Sequence, residues 1–192
     1  MLYFIIASGF VLRLFALSSH DFWFDEALTY HFANLPPASL LKATATDFNP
    51  PLYYLLMHYM LKISSHEIVL RLPSLTFSMF SILASYYFAK SRINQKVALI
   101  GASLLAVSPL SIYLASEARL HSLAILFVPL LIVSFFELKK RPHTLTTLTF
   151  VLISTLALYT QYYLILLFLP FALIVFLTKT KIKITKFLRF LP

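Results

Sequence analysis

The 192-residue chain contains no cysteine and only two glycines. Without thiols it can form neither a disulfide nor a thiolate metal site, and its redox compartment cannot be read from cysteine usage. With so little glycine, contacts between helices cannot rest on a small-xxx-small seam. They must be made by bulky side chains, and the chain carries 19 phenylalanines and 11 tyrosines. Acid is scarce as well: seven Asp and Glu stand against 16 Lys and Arg, a net charge of +9. In a soluble chain that excess would suggest nucleic acid. Here the cations cluster between apolar runs, and no nucleic-acid partner is expected. The hydrophobic fraction is 60% and mean hydropathy +0.84, well above the roughly 45–50% apolar content of soluble domains. The class is a polytopic membrane protein, with no sequence repeat, low-complexity tract or soluble domain.

A spanning helix needs about 20 apolar residues, somewhat fewer with snorkelling flanks. Suitable runs cover 1–18, 68–89, 97–115, 120–138, 144–160 and 162–178. The first run ends in Ala16-Leu17-Ser18, loosely like a cleavage site. It lacks a basic n-region and is apolar throughout, so it reads as a retained first span. Pro51 to Ile63 is too short to cross and holds His58 and several tyrosines, which suits a helix lying in the interface. Charge placement supports that choice. With 19–67 as one external loop, Lys90, Arg92, Lys96, Lys139, Lys140, Arg141 and the run from Lys179 to Arg189 are all cytoplasmic, and of the acids only Glu137 joins them. Counting 51–63 as a span would turn the first two basic clusters outward. The expectation is one all-α module over 1–192, a transmembrane helix bundle of about six spans in a plasma membrane, both ends cytoplasmic, with a long external loop carrying short interfacial helices.

A loop of that length carries structure of its own. Asp25 is expected to N-cap a helix running to about Leu35, stopped by Pro36-Pro37, with a second helix from about Ala38 to Thr46. Asp47-Phe48-Asn49-Pro50-Pro51 then forms a rigid turn, because the double proline removes two donors and holds Asn49 extended.

The polar residues of this loop carry the chemistry. Trp23-Phe24-Asp25-Glu26 sets adjacent carboxylates in an aromatic patch at a membrane surface, where Asp25 can act as general base on a hydroxyl. The same pair also suits a helix cap and the helix dipole. The two readings are compatible. Asp47 can face Asp25 across the loop or simply open the interfacial helix. Arg71 in Leu70-Arg71-Leu72-Pro73-Ser74 and Arg119 in Ser116-Glu117-Ala118-Arg119-Leu120-His121 lie at external boundaries, where each can snorkel or hold phosphate oxygens bidentately. Arg13, nearly a turn and a half inside the first span, reads as snorkelling or pairing with Glu117. His20, His31, His58, His66 and His121 are external, and with Asp25, Glu26 and Asp47 they leave a divalent metal open, although no pair has a spacing such as HExxH. No cofactor is fixed by these residues, and a divalent metal stays open.

In these residues the chain resembles the GT-C integral-membrane glycosyltransferases that use polyprenyl-phosphate sugars, closest to the protein O-mannosyltransferase and aminoarabinose transferase branch with its RgtA/B/C/D-like domain. Four segments carry the likeness, in order: Trp23-Phe24-Asp25-Glu26-Ala27, Asn49-Pro50-Pro51-Leu52-Tyr53-Tyr54, Leu70-Arg71-Leu72-Pro73-Ser74, and Ser108-Pro109 leading to Ser116-Glu117-Ala118-Arg119-Leu120-His121. They cover about 1–163. The resemblance implies inverting sugar transfer from a polyprenyl-phosphate donor to a lipid or protein acceptor at the external face. Asp25 would be the base, with Glu26 beside it as a catalytic residue. Asp47, Tyr53, Arg71, Arg119, His121 and Gln161 would contact substrate, the two arginines neutralising the lipid phosphate and Glu26 and Asp47 contacting sugar or acceptor hydroxyls or, in some branches, a metal. The chain departs from the pattern at His121, where tyrosine is usual, and at Gln161, where many relatives have histidine. Such enzymes are about twice this length, so the expectation is an N-terminal portion. Two other classes stay open. A transporter would predict central ionisable residues and internal repeats, and the spans show no central acid and no evident repeat. A non-catalytic subunit would require a partner carrying further spans.

Overall fold

The computed structural model describes the backbone of residues 1–18 and 20–188, and side chains up to 178; the terminal side chains from Lys179 to Arg189, expected to be cytoplasmic, lie outside the described residues. All regular structure among the described residues is helical. In chain order it comprises α1 (Leu2–Ala16), α2 (Phe24–Asn34), α3 (Pro37–Thr44), α4 (Leu52–Leu61), α5 (Glu67–Arg92), α6 (Gln95–Val107), α7 (Pro109–Ala115), α8 (His121–Lys140), α9 (Thr144–Thr160), a 3-10 segment Tyr162–Leu167, and α10 (Phe168–Leu188). The loop over 19–67 thus holds α2, α3 and α4, with the prolines at the helix starts where a missing N–H costs nothing.

Helices α5 and α8 are each long and apolar enough to cross a membrane. The expected span 97–115 is not one straight helix. Pro109 cannot donate to the ladder and pushes Ser108 to extended backbone, so α6 ends there and α7 leaves at 59°. Ser108 then caps α7, its Oγ accepting from the Ser111 N–H at 3.4 Å. Three shorter apolar helices, Leu2–Ala16, Thr144–Thr160 and Tyr162–Thr178, occupy the remaining expected runs.

Helix α5 is the central post, packing on α8 along one side and α6 along the other. One core gathers Tyr53, Met57, Leu70, Leu120, Phe127, Leu131 and Phe135 with residues of α9 and α10, including Phe135 and Phe171 stacked at 4.3 Å. The other joins α1, α5 and α6 through Ile5, Ile82, Tyr86, Ala98, Ala102 and Ala106.

Arg13 neither snorkels nor meets Glu117. It is fully buried where α1 crosses the α6–α7 break. Its Nε donates to Ser78 Oγ (2.8 Å), Nη1 to the carbonyls of Gly9 (3.0 Å) and Ala106 (2.9 Å), and Nη2 to the carbonyl of Leu105 (3.1 Å) and to Ser111 Oγ (2.8 Å). The break leaves the last carbonyls of α6 without helical partners, and a cation at a helix C-terminus satisfies both their hydrogen bonds and their negative field.

Gly9 permits this crossing, because a Cβ there would lie 3.1 Å from Ala106 Cβ and 3.4 Å from Arg13 Nη1. Gly9→Ala is therefore expected to destabilise the bundle by about 1–3 kcal/mol through overpacking. Gly101→Ala, which meets nothing within 4 Å, is expected to be neutral or to stabilise by up to about 1 kcal/mol. Thermal unfolding of the two variants in detergent checks the contrast.

Candidate active site

The site forms where α2 begins, α5 begins and the turn between α7 and α8 passes. Helix α2 starts one residue before Asp25, so Asp25 is not its N-cap; that position is Trp23. The capping contact comes from Glu26, whose Oε2 accepts the Trp23 N–H at 3.4 Å, and Asp25 is left to other partners.

Glu26 is fully buried and ties three segments together. Arg71 meets it as a fork, Nε to Oε1 at 2.9 Å and Nη2 to Oε2 at 2.8 Å. The Ala118 N–H donates to the same Oε1 at 2.7 Å. Arg71 also donates to the carbonyls of Leu17 (2.6 Å), His20 (3.1 Å) and Asp21 (3.3 Å), and it lies over the Phe22 ring at 5.9 Å. This guanidinium is committed to carboxylate and backbone, which suits a staple for the entry to α2 rather than a free phosphate clamp.

Asp25, by contrast, keeps a side chain 34% exposed. Its Oδ2 stands 3.3 Å from Arg119 Nη2, and its carbonyl accepts from Arg119 Nη1 at 3.1 Å. Arg119 is nearly buried, and its Nε has no hydrogen-bond partner. Behind it runs a polar chain. The Tyr53 hydroxyl and Ser74 Oγ are 2.8 Å apart, and Ser74 Oγ donates to the Arg119 carbonyl at 3.1 Å. Burial pushes the Tyr53 hydroxyl well above the usual phenol range, so it stays protonated.

Asp47 approaches through Tyr54, whose hydroxyl donates to Asp47 Oδ2 at 3.1 Å. The charges of Asp47 and Arg119 both act on the Tyr54 hydroxyl, in opposite directions. Burial first, then the Asp47 charge, pushes the Tyr54 hydroxyl up to about 12 from an ordinary 10.0. Between these values the folded chain keeps a proton that the unfolded chain releases. The Tyr54 contribution is therefore complete below about pH 10 and declines as pH rises through about 12. An alkaline absorbance titration of tyrosinate, native minus Tyr54→Phe, is expected to place this group's ionisation near the upper value.

His121 opens α8 within electrostatic reach of Arg119 and Asp25. Gln161 ends α9, its Oε1 buried and without a partner, and no hydrogen bond joins it to the residues around Asp25. Glu117 is a member that the sequence offered only as a possible partner of Arg13 and as part of the fourth motif. It is buried in the turn beside Arg119, with Oε1 unpartnered; burial pushes its carboxyl above the usual range, and the neighbouring Glu26 charge adds to this. The available signal was its place in Ser116-Glu117-Ala118-Arg119, an acid set against the arginine that faces Asp25. Among the described residues no three His, Asp or Glu side chains converge to hold a metal ion. An open groove of about 530 Å³ lined by Phe135, Phe150, Phe168, Phe171 and Phe176 lies far along α8 from His121, roughly 20 Å at the helical rise, and is separate from this cluster.

The fold is that of an all-α membrane bundle, with Asp25, Glu26, Arg71 and Arg119 gathered at one end. The chain belongs to the dolichyl-phosphate-mannose-protein mannosyltransferase family, membrane glycosyltransferases of the GT-C type, whose family model matches residues 49–191. The match takes in Tyr53, Arg71, Arg119, His121 and Gln161 and begins after Asp25, Glu26 and Asp47. No curated protein and no solved structure matches the chain.

Proposed function

We propose that this chain transfers a sugar from a polyprenyl-phosphate-linked donor to an acceptor hydroxyl of a lipid or protein at the external face of a plasma membrane, with inversion, and with Asp25 as general base. The observation that carries the reading is the division of labour between adjacent carboxylates. Glu26 is buried and held by Arg71 and Ala118, while Asp25 is part-exposed on the same turn beside Arg119.

The acceptor oxygen attacks the anomeric carbon as Asp25 takes its proton. The bond from that carbon to the phosphate oxygen breaks, and the lipid phosphate leaves with the electron pair. Arg119, the cation beside Asp25, would neutralise the charge that develops on it. Arg71 acts at one remove by fixing the entry to α2, Asp47 and His121 line the approach of sugar or acceptor, and the buried Tyr53 supports Arg119 from behind through Ser74. Gln161 would meet substrate only from a neighbouring position. No step is routed through a metal. The basic clusters on the opposite side of the bundle support a multi-pass orientation with both ends cytoplasmic.

The test is a reconstituted chain given isotope-labelled polyprenyl-phosphate sugar and membrane-extract acceptors. Labelled acceptor with the opposite anomeric configuration is expected. Retained configuration would overturn the single displacement proposed here, since retention requires a covalent or double-displacement route.

A further inference from the structure

We propose that Arg13 is a positioning residue, a buried cation that fixes the break between α6 and α7 and thereby sets where Ala118 and Arg119 meet Glu26 and Asp25. Five features converge. Each of its nitrogens is engaged, by the carbonyls of Gly9, Leu105 and Ala106 and by the hydroxyls of Ser78 and Ser111. Among the described residues it forms no salt bridge, and its charge is balanced by carbonyl and hydroxyl oxygens. The carbonyls of Leu105 and Ala106 belong to the end of α6, and Ser111 belongs to the first turn of α7, so a single guanidinium spans both sides of the 59° bend. Gly9 lets α1 approach closely enough for this, since a Cβ there would crowd Ala106 Cβ at 3.1 Å. Helix α7 then runs directly into the turn whose Ala118 N–H holds Glu26 and whose Arg119 pairs with Asp25.

Removing the guanidinium frees the Leu105 and Ala106 carbonyls at the end of α6 and releases the angle at which α7 delivers that turn. The lever is short: α7 spans seven residues from Pro109 to Ala115. A shift of the turn moves Arg119 relative to Asp25 without touching either residue. The consequence for catalysis rests on the transfer reading above; the consequence for geometry does not.

The chain's single tryptophan supplies a probe that needs no activity. Trp23 is 41% exposed and its N–H bonds to Glu26, which the turn holds. Acrylamide quenching of Trp23 is measured on the full chain in detergent for the native protein, Arg13→Gln, Arg13→Lys and the distant control Lys96→Gln. Arg13→Gln is expected to change quenching with helix content intact, Arg13→Lys to lie between it and native, and Lys96→Gln to match native. In the transfer assay, kcat of Arg13→Gln is expected to fall on the order of tenfold or more with acceptor KM little changed, as for a misplaced catalytic group. Should Arg13→Gln fail to fold, Ser111→Ala removes one arm of the clamp and keeps the cation, and a smaller change of the same sign is expected. Native quenching in a folded Arg13→Gln, or in Ser111→Ala when that is the variant used, overturns the proposal. Absence of transfer by the native chain counts against the proposed function alone, and the quenching then decides the role of Arg13.

Discussion

Asp25→Asn is expected to lower sugar transfer by about 10²–10⁴-fold, the usual range for loss of a general base, while leaving donor binding nearly unchanged. Asparagine keeps the size and polarity of the side chain but cannot accept the acceptor's proton. It also gives up an ion pair with Arg119 at 3.3 Å on a side chain one-third exposed, where such pairs contribute little to stability. The fold anchor next door is untouched, because Arg71 and Ala118 bind Glu26 and not Asp25. Kinetics with labelled donor, together with a direct donor-binding measurement, separate the two effects. A variant that binds donor and transfers at the native rate removes Asp25 from the mechanism.

Glu26→Ala is expected to act in the opposite way, through stability. It leaves Arg71 buried without its counter-charge, a loss of about 3–5 kcal/mol where one member of a buried pair is removed. The Ala118 N–H loses its acceptor as well. The entry to α2 and the turn before α8 should loosen together, since both are held by this one carboxylate. Chemical or thermal unfolding in detergent checks the magnitude. Simultaneous truncation by Glu26→Ala and Arg71→Met should recover part of the loss, because no uncompensated charge remains. A native-like midpoint for Glu26→Ala alone would show that the pair is not the anchor.

The contrast between these neighbours was only half legible in the sequence. Composition and hydropathy gave the all-α membrane class, charge placement separated the short segment at 51–63 from the spans, and four short motifs in order pointed to the family that the match over 49–191 shows. Local chemistry was read well where the rule is local: the prolines start α3, precede α4 and follow α2 close to where expected. What failed depended on distant partners. Asp25 was expected to cap α2 because aspartate is a preferred cap, but Glu26 reaches back to Trp23 and Asp25 turns to Arg119, 94 residues away. Arg71 was read as snorkelling or holding phosphate, and no local pattern announced its fork to Glu26, 45 residues earlier. Arg13 was hardest, since its partners are mostly backbone carbonyls that no residue pattern announces. The break that creates them was nevertheless visible as Ser108-Pro109.

The central claim is tested most directly by labelled-sugar transfer from polyprenyl phosphate in vesicles that contain the purified chain and no other protein. The account predicts transfer to an acceptor presented at the external face. A chain that inserts correctly and binds donor yet transfers nothing would contradict it, and would place catalysis in an assembly that this bundle only helps to build.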